Sequence, residues 1–372
     1  MKSGRVSIEN PRSRAELEDF ARLPFLVYAE RKAWWPPDVQ NEVDLLSHRS
    51  PLSAFLEIEP FVARRDGRSI ARVSAVINRR YNEHWKEKLG QLIHFEAMAD
   101  EDGAAAMLLD AASEWLRERG MTAARSGFAA FLDYPYAIDN YGEFPSFLLR
   151  ANPPYYHRYL KNAGFETERG QIDYTAHLTP EILARYRGMI DAARHGSIEL
   201  HSWREFGFLA AIDAWTNVTN AAFRDHWGWN PVTRNEVRPM LTSLWETPVS
   251  DLSMVATLER NVIGAVFCVP DLSEALASLK RGIKLAPQHG GGTRGALINI
   301  GVLDEARGRG VARAMAARSF LQMARLGIEY AGYTLVLDDN WPSRRCAESL
   351  GALVTSNFLT YRRELHAGRT RN

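Results

Sequence analysis

The chain has 372 residues, of which 46% are hydrophobic and 24% charged, and a formal net charge of +1. This length suits two domains of ordinary size better than one, and the composition is that of a globular protein, not a disordered or fibrous one. The near-zero charge excludes bulk attraction to nucleic acid or an anionic membrane, so any anion site has to be local. Two cysteines, Cys268 and Cys346, cannot build a disulfide framework and stand in no metal-ligand spacing, so a reducing compartment and no metal are expected. Residues 1–20 are polar and charged, and no apolar run reaches the length of a membrane span. The expectation is a cytoplasmic protein with neither a membrane nor a nucleic-acid partner.

Leu17, Phe20 and Leu23 have helical spacing, so a helix is predicted over 13–24, followed by an aromatic loop, Trp34-Trp35-Pro36-Pro37, that could serve as a lid. Two apolar runs within 54–77 are joined by Arg65-Asp66-Gly67-Arg68, and the Asp-Gly pair predicts a hairpin. A third run, 89–96, leads through Asp100-Glu101-Asp102-Gly103 to an amphipathic helix over 104–119, which Gly120 ends. Asn152-Pro153-Pro154 opens a helix carrying Tyr156, Tyr159 and Leu160, closed by Gly164, and a strand is predicted over 172–177.

A connecting helix follows over 179–194, then a strand over 198–203 and helices over 205–223 and 235–245. Strands 254–258 and 262–269 turn at Glu259-Arg260-Asn261, and an insertion over 271–295 contains a short helix and Gly290-Gly291-Gly292. The last elements are a strand over 296–303, a helix over 311–326, a strand over 333–337, a helix over 342–350, a strand over 354–361 and a basic tail. Both halves place strands before a helix in the same order, an architectural repeat at long period with little residue identity. The expected domains are 1–178, a linker helix over 179–195, and 196–372.

The strongest chemical signal is the strand-loop-helix unit from Leu297 through Val302, Leu303, Asp304, Arg307, Gly308, Arg309, Gly310, Val311 and Ala312. Two glycines let the backbone approach a ligand closely, and the next helix aims its unpaired N–H groups and positive dipole end at the same place. Such a junction cradles an anion, and Arg307, Arg309 and Arg313 add charge suited to phosphate oxygens. A Walker A loop needs Gly-Lys-Ser or Gly-Lys-Thr, which is absent, and a dinucleotide fingerprint needs a third glycine where Arg313 stands.

What these residues resemble is the acetyl-CoA signature of the GNAT (N-acetyltransferase-like) superfamily, met by Arg307, Gly310 and Ala312, with Asp304 where that family often has proline. Downstream, the strand ending in Asp338-Asp339-Asn340 and the helix closing on Leu350-Gly351-Ala352 resemble the family's second motif, in which the asparagine helps to bind the pantetheine arm. The resemblance covers about 254–361. It implies an α/β fold of two tandem GNAT-like domains, each a mixed, mostly antiparallel sheet flanked by helices. It also implies acetyl-CoA or another acyl-CoA as co-substrate, held by Val302, Leu303, residues 307–313 and Asn340.

At the equivalent junction the first half has Asp100-Glu101-Asp102-Gly103-Ala104, three carboxylates and no arginine, so a degenerate N-terminal domain that does not bind CoA is expected. The stretch Asn152-Pro153-Pro154-Tyr155-Tyr156 with Gly164-Phe165 resembles a bacterial group of such tandem proteins.

The resemblance implies transfer of an acyl group, acetyl being expected, to the amine of a small molecule by direct attack. Such a reaction needs a base, an oxyanion contact and an acid. The oxyanion contact is expected from backbone N–H groups near Val302 and Leu303. The family's tyrosine acid would fall at Ala347, whose neighbour Cys346 carries a proton but reads equally as core packing. Asp225 and His226 follow the helix that borders the acceptor cleft in this family and are the base candidates, with a helix cap and an aromatic neighbour as the plain alternatives.

Glu259 and Asp271 flank the strand pair and are expected at the surface. Trp203, Trp215, Trp227, Trp229 and Trp245 either line an apolar acceptor pocket or fill core. Two further readings stay open: a CoA-binding scaffold that has lost its acid, and an aminoacyl-tRNA-dependent transferase, against which the low net charge argues. The tandem halves could replace a dimer, so a monomer or a homodimer is compatible with the sequence.

Overall fold

The computed structural model describes residues 4–31, 33–34, 36–129, 132–146, 149, 151–271 and 293–366. In chain order the elements of the first part are β1 Val6–Glu9, α1 Arg14–Val27, α2 Val39–Leu46, β2 Leu56–Arg65, β3 Arg68–Asn78, α3 Arg79–Trp85, β4 Leu89–Ala97, α4 Asp102–Glu118, β5 Ala123–Ser126, β6 Tyr136–Ala137, α5 Tyr156–Asn162 and β7 Glu166–His177. The second part has α6 Pro180–His195, β8 Ile198–Ser202, α7 Trp203–Phe206, α8 Phe208–Ala222, α9 Arg234–Leu244, α10 Val249–Leu252, β9 Met254–Leu258, β10 Asn261–Pro270 and β11 Arg294–Val302. It continues with α11 Val311–Arg325, β12 Tyr330–Leu337, α12 Trp341–Ser349 and β13 Leu353–Glu364.

Local chemistry accounts for many of these boundaries. Ser13 caps α1 in a capping box with Glu16, which contributes about 1 kcal/mol, and Thr179 caps α6 with Pro180 at its first position. The β2–β3 turn places Asp66 at φ 48° and Gly67 at φ 77°, the left-handed pair that a two-residue hairpin requires. Gly207, at φ 93°, divides the helix expected over 205–223 into α7 and α8.

The chain forms two compact units, one comprising Met1–Pro145, Leu149–Gly170 and Phe358–Asn372, the other Ser146–Leu148 and Gln171–Asn357. In the first the strands run β1-β2-β3-β4-β5-β13, with β4 and β5 parallel and the other pairs antiparallel. In the second they run β8-β9-β10-β11-β12-β7, with β11 and β12 parallel and the rest antiparallel. Each is a mixed, mostly antiparallel sheet flanked by helices, so the two halves repeat one architecture as expected. In the first unit α4 and α5 share a core with one face of the sheet, and α1 and α2 share one with the other. In the second, α6, α11 and α12 cover one face and α7 to α10 the other.

The edges of the two compact units fall inside strands. β7 passes from the first unit to the second at Gly170/Gln171, and β13 passes back at Asn357/Phe358, so the first unit includes a strand segment from the C-terminal end of the chain. A boundary inside an unbroken strand leaves no glycine, proline or polar cluster by which a sequence could show it. The helix expected as a linker over 179–195 is instead core structure, with Tyr186, Ile190 and Ala193 buried against α11. The insertion expected over 271–295 lies outside the described residues at 272–292, as does Trp35 of the aromatic loop.

β5 was not among the expected strands, and its third residue is an arginine. Arg125 is 1% exposed, forms a bidentate pair with Glu168 (2.7 Å to each oxygen) and donates to the Tyr81 hydroxyl at 2.8 Å. Removing one partner of a buried pair leaves the other charge uncompensated. Arg125→Ala is therefore expected to lower the unfolding free energy of this unit by about 3–5 kcal/mol in urea titration, while Arg125→Met with Glu168→Leu recovers most of the loss.

Candidate functional site

The site in the second unit begins where two parallel strands separate. β11 and β12 pair from Arg294/Tyr330 to Leu297/Tyr333 only, although each strand continues for several residues beyond. The Thr334 hydroxyl takes the last carbonyl, that of Leu297, at 3.1 Å. Irregularities on both strands coincide with the separation. One bulge on β11 falls at Ile298, opposite Phe267/Cys268, and another on β12 falls between Tyr333 and Val336, with Leu335 at φ 53°. A leucine in that region costs about 1–2 kcal/mol, a strain that neighbouring structure has to offset.

Beyond the apex the ladder fixes which backbone groups are available. The Leu303 N–H donates to the Ile263 carbonyl at 2.9 Å, so Leu303 and Ile263 form a hydrogen-bonded pair. By the alternation of antiparallel ladders, Gly301 and Asn299 also face β10, while Val302 and Ile300 turn their N–H and C=O toward the edge that β12 has left. Of the two amides expected to serve as oxyanion donors, Val302 thus faces the wedge and Leu303 is already engaged.

The wedge leads into the glycine loop. After a single 3₁₀ turn, Asp304–Ala306, Gly308 (φ 80°) and Gly310 (φ 77°) both take left-handed backbone, and Gly310 is the N-cap of α11. A Cβ on Gly308 would meet nothing within 4 Å, so its φ, not crowding, requires glycine there. No side chain caps α11, and its first ladder bond runs from the Ala314 N–H to the Gly310 carbonyl, which leaves the earlier amides directed outward. Arg307, Arg309 and Arg313 are exposed around this turn, Val311 is buried beneath it, and Ala312 is half-buried. The Arg307 guanidinium rests on Asp304 at 2.9 Å, with both side chains more than half exposed.

α8 closes the other face. Val218 and Ala222 pack over Gly301, where an added Cβ would lie 3.1 Å from both side chains, and the Thr219 hydroxyl reaches Asn299 Oδ1 at 3.5 Å. The turn after α8 holds the two base candidates. Asp225 is 82% exposed and pairs with its neighbour Arg224 at 3.1 Å, whereas His226 directs Nδ1 to the Trp227 carbonyl at 3.1 Å and packs edge-on against Phe223. Trp203 stacks on Phe267 and meets Trp215 edge-on; these two tryptophans are core filling within the unit, where a pocket lining was the open alternative. Glu259 sits in the exposed β9–β10 turn as expected, but Asp271 is buried and ion-paired with Arg294 at 3.7 Å, which corrects the surface role expected for it.

Ala347, at the expected acid position, is fully buried. The structure brings a tyrosine to its side from β12, which sequence spacing did not indicate. The Tyr333 hydroxyl lies 3.1 Å from Ser343 Oγ and within hydrogen-bonding reach of Cys346, so it sits against α12 one turn before Ala347 and beside it. Burial holds the Tyr333 hydroxyl well above its ordinary value, and burial pushes the Cys346 thiol up to about 11. Both groups keep their protons at neutral pH. Asn340 caps α12 by accepting from the Ser343 N–H at 3.2 Å, a structural task for its side-chain oxygen. A separate depression between α6 and α11, lined by Arg187, Arg194, Arg318 and Arg325, begins eight residues along α11 from Gly310, about 12 Å away.

The matching junction of the first unit is built differently. β4 and β5 also pair only from Leu89/Ala123 to Leu92/Ser126. Here, however, tyrosines of the same unit occupy amides at and just after the end of β4. Tyr156 accepts from the Ala97 N–H at 2.9 Å and donates to Glu96 at 2.6 Å. Tyr159 accepts from the Glu101 N–H and donates to the Met98 carbonyl, both at 3.0 Å. The acidic loop is neutralised from within, Glu101 by Arg65 and Asp102 by Arg158 at 2.6 and 2.7 Å.

Residues 213–352, all inside the second unit, match the model of the Acetyltransferase (GNAT) family. This region of the chain is a GNAT domain. The chain is similar to a protein named bacterial ceramide synthase from Caulobacter vibrioides (strain NA1000 / CB15N), with 26% identity over 280 residues, 74% of this chain and 72% of that one. Among solved structures, a tandem GNAT protein from the clavulanic acid biosynthesis pathway superposes with a TM-score of 0.57 at 12% identity, over 98% of this chain and 100% of that chain. A GCN5-related glucosamine N-acetyltransferase region in a fungal multi-domain GH3 beta-N-acetylglucosaminidase gives a TM-score of 0.57 at 16% identity, over 97% of this chain. The match spans only 38% of that longer protein. These two structures speak for the fold: a tandem GNAT arrangement. Among the described residues no group of metal-ligating side chains could hold an ion, and no helix is long and apolar enough to cross a membrane.

The close approach of α8 to β11 is testable. Gly301→Val puts a branched side chain where Val218 and Ala222 already stand, and is expected to lower stability by about 1–3 kcal/mol in thermal or urea unfolding.

Proposed function

We propose that the chain is an acyl-CoA-dependent N-acyltransferase that moves an acyl group from CoA to the amine of a small molecule by direct attack. The observation that carries this reading is the separation of β11 from β12 immediately before a glycine loop and an uncapped helix N-terminus. Backbone N–H groups and the helix dipole suit a pyrophosphate, and Arg307, Arg309 and Arg313 supply the matching charge. Ile300 and Val302 offer a strand edge to the amide-bearing pantetheine arm, and the Val302 N–H can polarise the thioester carbonyl. Asn340, at the carboxyl end of β12, remains a candidate contact to that arm.

The acyl-CoA is a substrate, and its thioester supplies the activated carbonyl. The amine nitrogen bonds to that carbonyl carbon, the C–S bond breaks, and the thiolate takes a proton. Tyr333, protonated throughout the neutral range, is the hydroxyl we assign to that last step, in place of the residue missing at Ala347. His226 stands in the turn that ends α8 and remains a candidate at the acceptor side, with Asp225 as its neighbour in sequence. The first unit is assigned no CoA, because its own tyrosines and arginines already satisfy the equivalent junction.

The similarity to a ceramide synthase bears on the substrate. Ceramide is the amide of a fatty acid with a long-chain amino alcohol, so a lipid amine and a long acyl-CoA join acetyl-CoA as the pairs to be tried first. The scaffold reading, which rested on Ala347, is weakened by the hydroxyl of Tyr333 beside that position.

Calorimetric titration with acetyl-CoA, a long-chain acyl-CoA and free CoA is expected to give one site per chain, with affinity at least tenfold lower in the variant combining Arg307→Ala and Gly310→Asp. Unchanged affinity in that variant would remove the loop assignment. Tyr333→Phe is expected to leave CoA affinity intact and to reduce kcat by about a hundredfold or more.

A further inference from the structure

One charged surface of the second unit has no part in the slot. α6 and α11 pack side by side, Tyr186 against Phe320, and between them on the solvent side lies a depression of about 370 Å³. Its floor is apolar, from Leu183, Ile190 and Leu321. Four arginines form its rim, Arg187 and Arg194 on α6, Arg318 and Arg325 on α11. The members of each pair are seven residues apart, close to two helical turns, so they stand on one stripe of their helix about 10 Å from each other.

Charge is concentrated on these two helices. Residues 180–195 and 311–325 hold six arginines and two carboxylates in a chain whose net charge is +1, which leaves the rest of the chain net negative. The last turn of a helix favours cations, and that accounts for Arg194 and Arg325. Arg187 and Arg318 are mid-helix, where it accounts for nothing. Within the depression the counter-charge is Asp191, 3.7 Å from Arg194, with both side chains more than half exposed. Arg187, Arg318 and Arg325 stand in no ion pair among the described residues, although the charge of Arg318 reaches Glu205.

We infer that this face of α6 and α11 docks on a membrane surface of anionic phospholipid, with headgroup phosphates seated between the arginines. A guanidinium binds phosphate oxygens two at a time through its planar fork, and its aliphatic arm covers apolar surface. Guanidiniums over an apolar floor therefore suit an anion carried on an apolar stem. The depression is small for a ligand pocket, enough for a phosphate and the stem next to it. Its cations are spread over two neighbouring helices on one side of the unit, an arrangement that meets several headgroups lying in a plane. Leu326, 47% exposed, ends α11 beside Arg325 and adds an apolar side chain at the border of the patch.

A long polyanion such as nucleic acid fits less well, because beyond the patch it meets a chain that is net negative and repels it. The inference stands apart from the acyl-CoA reading, since none of the four arginines belongs to the glycine loop. α11 serves both places: its N-terminus borders the loop, and Arg318 begins the basic face about 12 Å further along. Docking there keeps the loop close to the bilayer, in which a lipid amine resides.

The test is sedimentation of the full chain with vesicles of equal parts phosphatidylcholine and phosphatidylglycerol, set against vesicles of phosphatidylcholine alone. Binding to the mixed vesicles only is expected, weakening as salt is raised. Arg187→Gln, Arg194→Gln, Arg318→Gln and Arg325→Gln should each weaken it about fivefold, and the four together at least a hundredfold. The same four positions changed to lysine should retain most of the binding, and acyl-CoA affinity should stay unchanged in both sets. The unmutated chain gives a second readout: mixed vesicles should protect the four arginines from modification by phenylglyoxal, while Arg260, exposed in the β9–β10 turn, stays reactive. Equal binding to both kinds of vesicle, no binding to the mixed ones, or unchanged binding by the glutamine set would overturn the inference. Displacement of the vesicles by free CoA would move anion capture to the glycine loop, and displacement by glycerol phosphate would make the depression a site for a soluble anion; either result also overturns it. Failure of the transferase reading would show separately, in the acyl-CoA titration of the unmutated chain.

Discussion

Two parallel strands that part company create a problem which the rest of the second unit answers. From Leu297 onward the edge of β11 that faced β12 carries the N–H and C=O groups of Ile300 and Val302, and a polar backbone edge half out of water needs partners. The bulges at Ile298 and at Thr334/Leu335 and the left-handed Leu335 coincide with the parting, and the Thr334 hydroxyl bridges the strands at its apex by donating to the Leu297 carbonyl. Gly301 lets α8 press close on one side, and Gly308 with Gly310 turns the chain into α11 on the other. The result is a slot lined by main chain that ends at a helix N-terminus, a geometry fitted to an extended ligand with amides along it and phosphates at one end.

The two units share a topology but fill the matching junction differently. Both have the same strand order and the same short parallel pairing. In the first, Tyr156 and Tyr159 insert hydroxyls among the amides beyond β4, and Glu101 and Asp102 with their arginines complete the charge balance locally. In the second, glycines and arginines occupy the corresponding stretch. A handful of side chains at one junction is thus what differs most between the two units there.

Much of this was legible in the sequence, because the signals were local. Capping residues, the Asp66-Gly67 turn, Gly120 and Gly164 at helix ends and the Arg307–Ala312 loop all act within a few residues of where they stand. What escaped notice depends on distant partners. β5 is a strand because Arg125 finds Glu168 and Tyr81; Tyr333 approaches α12 because β12 runs beneath it; Asp173 is buried against Ser146, 27 residues away in sequence. Asp225 and His226 drew notice as a titratable pair in a suggestive place, yet the turn after α8 directs Asp225 to Arg224 and His226 to the Trp227 carbonyl.

The central claim is that the β11–β12 slot and its loop hold the acyl-CoA while the first unit does not. Amide hydrogen exchange, followed with and without bound CoA, tests it residue by residue. Slowed exchange at Ile300, Val302 and the amides from Gly308 to Arg313, with residues 97–103 unchanged, is the result expected. Protection of residues 97–103 with no change at Val302 or the glycine loop would contradict it.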